Sequence, residues 1–203
     1  MGVIADTAII KKSPYNFTSA GFGDAVAKFS AVKDWKLGNV IKGEYYGDYA
    51  SSLSLMIAKI TLDSTIEISK RTDKGVNTLI EALISSGSAM GIAGSSRPAS
   101  GSEHKFSHAL DMIAEKPAMH GHQCGVGTII MSYLQGENWS RIKNSLELTK
   151  CPVTARQLKM DGDVLLEAMM KAREIKPERY TIIDHLKLDK QTALNALETT
   201  GVI

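Results

Sequence analysis

The sequence predicts an all-α protein, a multi-helix metal-binding domain carrying one stray N-terminal β-strand. Three observations carry that prediction. Beyond Pro14, apolar residues recur at helical spacing in nearly every segment. Only residues 2–10, GVIADTAII, are β-branched and apolar enough around Asp6 and Thr7 to read as a strand. Four of the five histidines fall within the nineteen residues from His104 to His122, in a stretch rich in small residues.

In chain order, the strand comes first, and a lone strand is not stable in water without partners. In SAGFGDAVAKFSAVKDWKL, Ala25, Val26, Phe29, Val32 and Trp35 share a helical face. Asp24 is expected in the first turn of that helix, where a carboxylate suits the positive end of the dipole. EYYGDYASSLSLMIAKITLDSTIEIS reads as one or two helices beginning near Tyr45, its Met, Ala and Lys content favouring helix over strand. GVNTLIEALISSGSAMGIA follows, with Leu79, Leu83 and Ile84 expected on one face. EHKFSHALDMIAE and HGHQCGVGTIIMSYLQ form the next pair, the second opening on a Gly-rich turn. NWSRIKNSLELTK, TARQLK, GDVLLEAMMKAREI and KQTALNALETTG complete the set, with Asp189 placed to cap the last.

Composition excludes several functions. With 203 residues, the chain can bury about 70% of its unfolded surface. A hydrophobic content of 43% with 23% charge is ordinary for a globular protein. The net charge is +2 and the basic residues are scattered, which argues against nucleic acid as a partner. No apolar run is expected to span a membrane, which takes about 20 residues, and the N-terminus does not read as a signal peptide. Cys124 and Cys151 read as buried thiols of a reduced, cytoplasmic protein, too far apart and too apolar in context for a zinc ribbon.

The chemistry concentrates between Gly94 and Gly127. His104 and His108, four apart on a helix, project from one face about 5–6 Å apart. That spacing suits two ligands of one metal, or a ligand beside an acid/base group; two structural histidines would show the same spacing. His120 and His122 open the next helix among glycines. A helical Zn²⁺ or Fe²⁺ site with two histidines needs an oxygen ligand and an open position. Asp24, framed by Gly21 and Gly23, is the first candidate, with Asp6, Asp48, Asp111 and Asp161 as competitors. GFGDAVA matches a loose dinucleotide fingerprint but lacks the flanking strands, so its glycines read as points of helix approach. Ser95, Ser96 and Arg97 fit an anion-binding turn, or more simply a surface turn ending in a cap.

The segments SAGFGDAVAKFSAVKDW, SSRPASGSEHKFSHALD, HGHQCGVG and PERYTIIDHL resemble the carboxyl-terminal half of the archaeal sn-glycerol-1-phosphate dehydrogenase family. That family belongs with glycerol dehydrogenase, iron-dependent alcohol dehydrogenase and dehydroquinate synthase. The resemblance implies the helical domain of the dehydroquinate synthase-like fold over residues 13–203. Residues 1–12 would then be a remnant strand of a missing nucleotide-binding domain. It implies Asp24, His104 and His120 as metal ligands, Asp24 and His108 as substrate contacts, and His108 as the catalytic group that orients substrate or relays a proton. His122 is then a non-ligand, at a position where family members usually carry Glu. Implied cofactors are Zn²⁺, or Fe²⁺ or another divalent metal, and NAD or NADP held through the missing domain. The implied reaction is NAD(P)H reduction of dihydroxyacetone phosphate to sn-glycerol 1-phosphate, a step of phospholipid biosynthesis. A homo-oligomer, or an N-terminal domain supplied in trans, would be the macromolecular partner. Two alternatives stand beside it: a polyol or ketone dehydrogenase of the same superfamily, and a non-catalytic metal-binding fragment.

Overall fold

The computed structural model describes residues 2–203. Helices α1 (Thr7–Ile10), α2 (Tyr15–Val26), α3 (Lys28–Lys42), α4 (Asp48–Asp63), α5 (Thr65–Ser69) and α6 (Asp73–Ala93) form the first half. Helices α7 (Ser102–Ile113), α8 (His120–Leu134), α9 (Trp139–Leu148), α10 (Ala155–Leu158) and α11 (Gly162–Lys171) follow, then a 3₁₀ turn at Ala172–Glu174, α12 (Ile182–His185) and α13 (Lys190–Thr199). Helix α8 is the axis of the structure, nearly all of it buried, with α2, α7 and α9 packed around it. Its apolar residues join Phe22, Phe106, Leu110, Leu146 and Leu165 in one core.

The expected N-terminal strand is not there: among the described residues no strand is present, and residues 7–10 form a helical turn. Asp6 decides this locally, because its carboxylate accepts the backbone hydrogens of Ala8 at 2.8 Å and Ile9 at 3.2 Å. The Arg71 guanidinium then donates to the carbonyls of Ile10 and Ser13, both at 2.8 Å, and holds the turn against α6. Without a pairing strand, a β-branched segment takes the structure its cap offers. Val3, Ile4 and Ile9 nevertheless remain exposed. Met1, which the expected segment 1–12 includes, lies outside the described residues.

Three other differences follow from turn chemistry and packing. The helix containing Asp24 begins at Tyr15, directly after Pro14, so Asp24 falls in its last turn rather than its first. The inward face of α6 is Val76, Leu79, Ala82, Ser86 and Ala89, and it turns Leu83 and Ile84 toward solvent. By length and composition α6 is long and apolar enough to cross a membrane, contrary to expectation. It packs against α2, α4 and α5 as a core-facing helix and carries Lys74 and Glu81. Asp189 caps α13 as expected, accepting from Thr192 N at 2.8 Å.

Candidate metal centre

Glycine sets the distance between α2 and α8. A methyl group added at Gly121 would overlap the carbonyl oxygen of Ala20, and one at Gly23 would overlap that of Gly121. The two backbones therefore touch directly, which brings Asp24 on α2 beside His120 and Cys124 on α8. The α7–α8 contact is close as well, since a Cβ at Gly127 would lie 3.0 Å from the Glu103 carbonyl oxygen. The glycine stretch that mimicked a nucleotide loop is a helix-packing device.

The result is a cluster of four donor atoms, from Asp24, His104, His120 and Cys124, all within 4.8 Å of one another. His104 Nε2 lies 3.5 Å from Asp24 Oδ1. His120 Nε2 lies 3.4 Å from Cys124 Sγ. Burial is graded across the cluster: His104 and Cys124 are buried, Asp24 is intermediate and His120 is exposed. The cluster is thus closed behind the thiol and open beside His120.

Both imidazoles are locked through their Nδ1 atoms. His104 Nδ1 donates to Glu103 Oε1 at 2.8 Å. Glu103 is fully buried and also accepts from Ser30 Oγ at 2.6 Å and Gly101 N at 2.7 Å. An ionised carboxylate only accepts, so Nδ1 carries the hydrogen and Nε2 faces the cluster. At His120 the tautomer is set through Ser107. Its single hydroxyl hydrogen goes to Gln123 Oε1 at 2.8 Å, while Gln123 Nε2 donates to Asp111 and to the Ala118 carbonyl. Ser107 Oγ can then only accept from His120 Nδ1, 3.0 Å away, which again leaves Nε2 for the cluster.

The electrostatics favour a cation. Burial works to raise the Asp24 carboxyl, but Lys28, then His104 and His120, outweigh it and hold Asp24 well below the usual carboxylate range. Lys28 is itself fully buried and donates to the Asp24 carbonyl at 2.9 Å. Burial opposes charge on His104, yet Cys124, Asp24 and Glu103 raise its proton affinity well above the ordinary imidazole value. Burial likewise resists ionisation of Cys124, and the adjacent His104 and His120 lower its pKa in spite of it. A carboxylate, a thiol and two imidazoles that share protons are groups from which a divalent cation would displace a proton on binding. The fixed Nε2 atoms, the carboxylate and their spacing fit a Zn²⁺-class ion.

His108 stands at the rim, half-exposed, with ring centroids 6.4 Å from His104 and 5.9 Å from His120. Burial, then Lys176 and the neighbouring histidines, lower its pKa and keep it neutral. His122 points away from the cluster to Ser19 Oγ at 2.8 Å. Of the competing carboxylates, Asp111 reaches the cluster only indirectly, through Gln123. Arg97 is buried rather than on a surface turn, its Nε donating to Glu44 at 2.7 Å and Nη2 to the Tyr180 carbonyl at 2.9 Å, while Nη1 is left without a partner. Sequence reasoning missed Glu103, Ser107 and Cys124. Cys124 had a signal, since it lies one helical turn after His120.

The chain is 53% identical over all 203 residues to a glycerol-1-phosphate dehydrogenase (NAD(P)+) from Thermococcus sibiricus, spanning 58% of that protein. The corresponding figures for Pyrococcus furiosus are 51% identity over the whole chain and 59% of the relative. For Methanosphaera stadtmanae they are 50% identity over 201 residues and 58% of the relative. Along its whole length the chain resembles glycerol-1-phosphate dehydrogenases. It spans somewhat more than half the length of these glycerol-1-phosphate dehydrogenases. No protein-family model matches the chain. Among solved structures, glycerol dehydrogenase from Schizosaccharomyces pombe superposes with a TM-score of 0.64, covering 98% of this chain and 55% of that one. At 16% identity that match shows the shared fold alone.

Proposed function

We propose that this chain is the metal- and substrate-binding part of an sn-glycerol-1-phosphate dehydrogenase. The observation that carries the reading is the convergence of Asp24, His104 and His120 from three helices, each imidazole presenting Nε2 to one point. Extensive similarity to proteins bearing that name supplies the reaction class.

In this reading Asp24, His104 and His120 hold a divalent metal, Zn²⁺ by donor type, with Fe²⁺ the nearest competitor. When bound, such a metal acts as a Lewis acid toward the ketone oxygen of dihydroxyacetone phosphate. Glu103 and Ser107 keep the two imidazoles in the metal-facing tautomer. His108, neutral and at the open rim, touches the substrate and passes a proton to or from its hydroxyl. Asp24 also contacts substrate from the α2 side. The nicotinamide cofactor, NAD or NADP, supplies the hydride and is held by the portion of the relatives' length that this chain does not span. Both cysteines are free thiols, which suits a reducing cytoplasmic setting.

The test is ligand binding to the zinc-loaded chain by isothermal calorimetry. Dihydroxyacetone phosphate should bind at least tenfold more tightly than dihydroxyacetone or glycerol, and His108→Ala should weaken it. Equal or preferential binding of the unphosphorylated polyols would replace this reading with a glycerol dehydrogenase-like one.

A further inference from the structure

We propose that Cys124 is a fourth donor of the metal centre, placing a sulfur ligand beside Asp24, His104 and His120. The inference rests on the reading of this cluster as a metal site and adds a donor which that reading does not require.

Two donors bound to one tetrahedral zinc, at bond lengths of about 2.0–2.3 Å, lie about 3.3–3.6 Å apart. Cys124 Sγ is 3.4 Å from His120 Nε2, and Asp24 Oδ1 is 3.5 Å from His104 Nε2. Two separate pairs from three helices thus have the spacing of donors on one zinc, and all four atoms lie within 4.8 Å of one another. The sulfur is as well placed as the oxygen.

Cys124 follows His120 by one helical turn on α8, so the two side chains leave the same face. Its sulfur is closer to Nε2 of His120, the metal-facing atom, than to Nδ1 at 3.9 Å. Cys151 gives the contrast within the same molecule. Its sulfur packs against the glycine seam, within 3.2 Å of where a Cβ at Gly23 would stand and 3.1 Å of one at Gly125. One thiol lines the seam between helices; the other faces the donor cluster.

Cys124 is fully buried while His120 is exposed and His108 half-exposed. A sulfur donor at the closed back of the cluster leaves the His120–His108 side for substrate. It also fixes the class of ion. Thiolate alongside imidazole favours Zn²⁺ and Co²⁺ over Mg²⁺ and Mn²⁺, which prefer oxygen donors. Binding would release the thiol proton.

Titration of the purified chain with Co²⁺, followed by ultraviolet–visible absorption, tests this. The wild-type chain is expected to show the visible ligand-field bands of tetrahedral cobalt together with a near-ultraviolet sulfur-to-cobalt charge-transfer band. Cys124→Ser should keep the ligand-field bands, lose the charge-transfer band and bind cobalt at least tenfold more weakly, whereas Cys151→Ser should match the wild type. Ligand-field bands without charge transfer in the wild-type chain would overturn the sulfur donor and leave the three-residue site standing. Charge transfer that survives in Cys124→Ser would do the same. A wild-type chain that takes up neither cobalt nor zinc would overturn both. The wild-type spectrum alone decides the matter even where a variant fails to fold.

Discussion

Glu103 and His104 are neighbours in sequence and are also bonded side chain to side chain, Oε1 to Nδ1 at 2.8 Å, in a buried carboxylate–imidazole pair. The bond forms in the first turn of α7, where Gly101 leaves room for the carboxylate and donates its own N–H to it. A Cβ at Gly101 would stand 2.8 Å from the Ala31 Cα and 2.6 Å from Asp34 Oδ2, so any side chain here would force the α3 backbone to shift. The carboxylate orients His104 toward Asp24 and raises its basicity as a ligand.

Glu103→Gln keeps an acceptor for Nδ1 and removes the charge. The expected result is a folded chain whose zinc affinity falls about 10- to 100-fold, the usual effect of losing a group that orients a ligand. Competition with a chromophoric chelator measures it. Affinity unchanged within error would show that His104 is oriented by packing alone.

Gly121→Ala places a methyl group into the Ala20 carbonyl oxygen, which is backbone and cannot swing aside. The two helices must separate, at a cost of about 1–3 kcal/mol for overpacking. Denaturant unfolding of the metal-free chain should show this loss, and zinc affinity should fall with it because Asp24 retreats from α8. Full stability in the variant would mean that the α2–α8 seam is looser than described.

Asp34 provides a pH dependence. It is fully buried and accepts from Ser102 N at 2.6 Å, Gln135 Nε2 at 3.1 Å and Ile182 N at 2.8 Å. Burial, and then the nearby Glu103, push its carboxyl up to about 6 against those hydrogen bonds. Its unfolded value is 3.8, so the folded state holds the proton more tightly. The stability it contributes is complete below pH 3.8 and is lost as pH rises through about 6. Asp34→Asn cannot ionise, and it turns an NH₂ group toward donors, so it is less stable throughout. Its deficit relative to wild type should be largest below pH 4 and shrink between about pH 4 and 6. Parallel stability curves for the two proteins would contradict the assignment.

Most helices were legible from their apolar period, and α13 also from its Asp189 cap. The N-terminal segment misled because β-branched composition records a preference that only a pairing strand can realise, and Asp6 offered a helical cap instead. Asp24 was singled out for its flanking glycines, of which Gly23 does bring α2 against α8, but it was placed at the wrong end of its helix. At that C-terminal end the dipole disfavours a carboxylate, and Lys28 with the two imidazoles compensates. Glu103 was invisible because adjacent helical positions ordinarily diverge. Ser107 takes its role from the hydrogen bond it donates to Gln123, sixteen residues away, which no local pattern encodes.

Metal content of the purified chain by elemental mass spectrometry tests the central claim most directly. The account predicts about one zinc-class ion per chain, lost in both Asp24→Ala and His104→Ala while the helical fold persists. A wild-type chain that is metal-free and refuses added Zn²⁺, or one whose metal survives both substitutions, would contradict it.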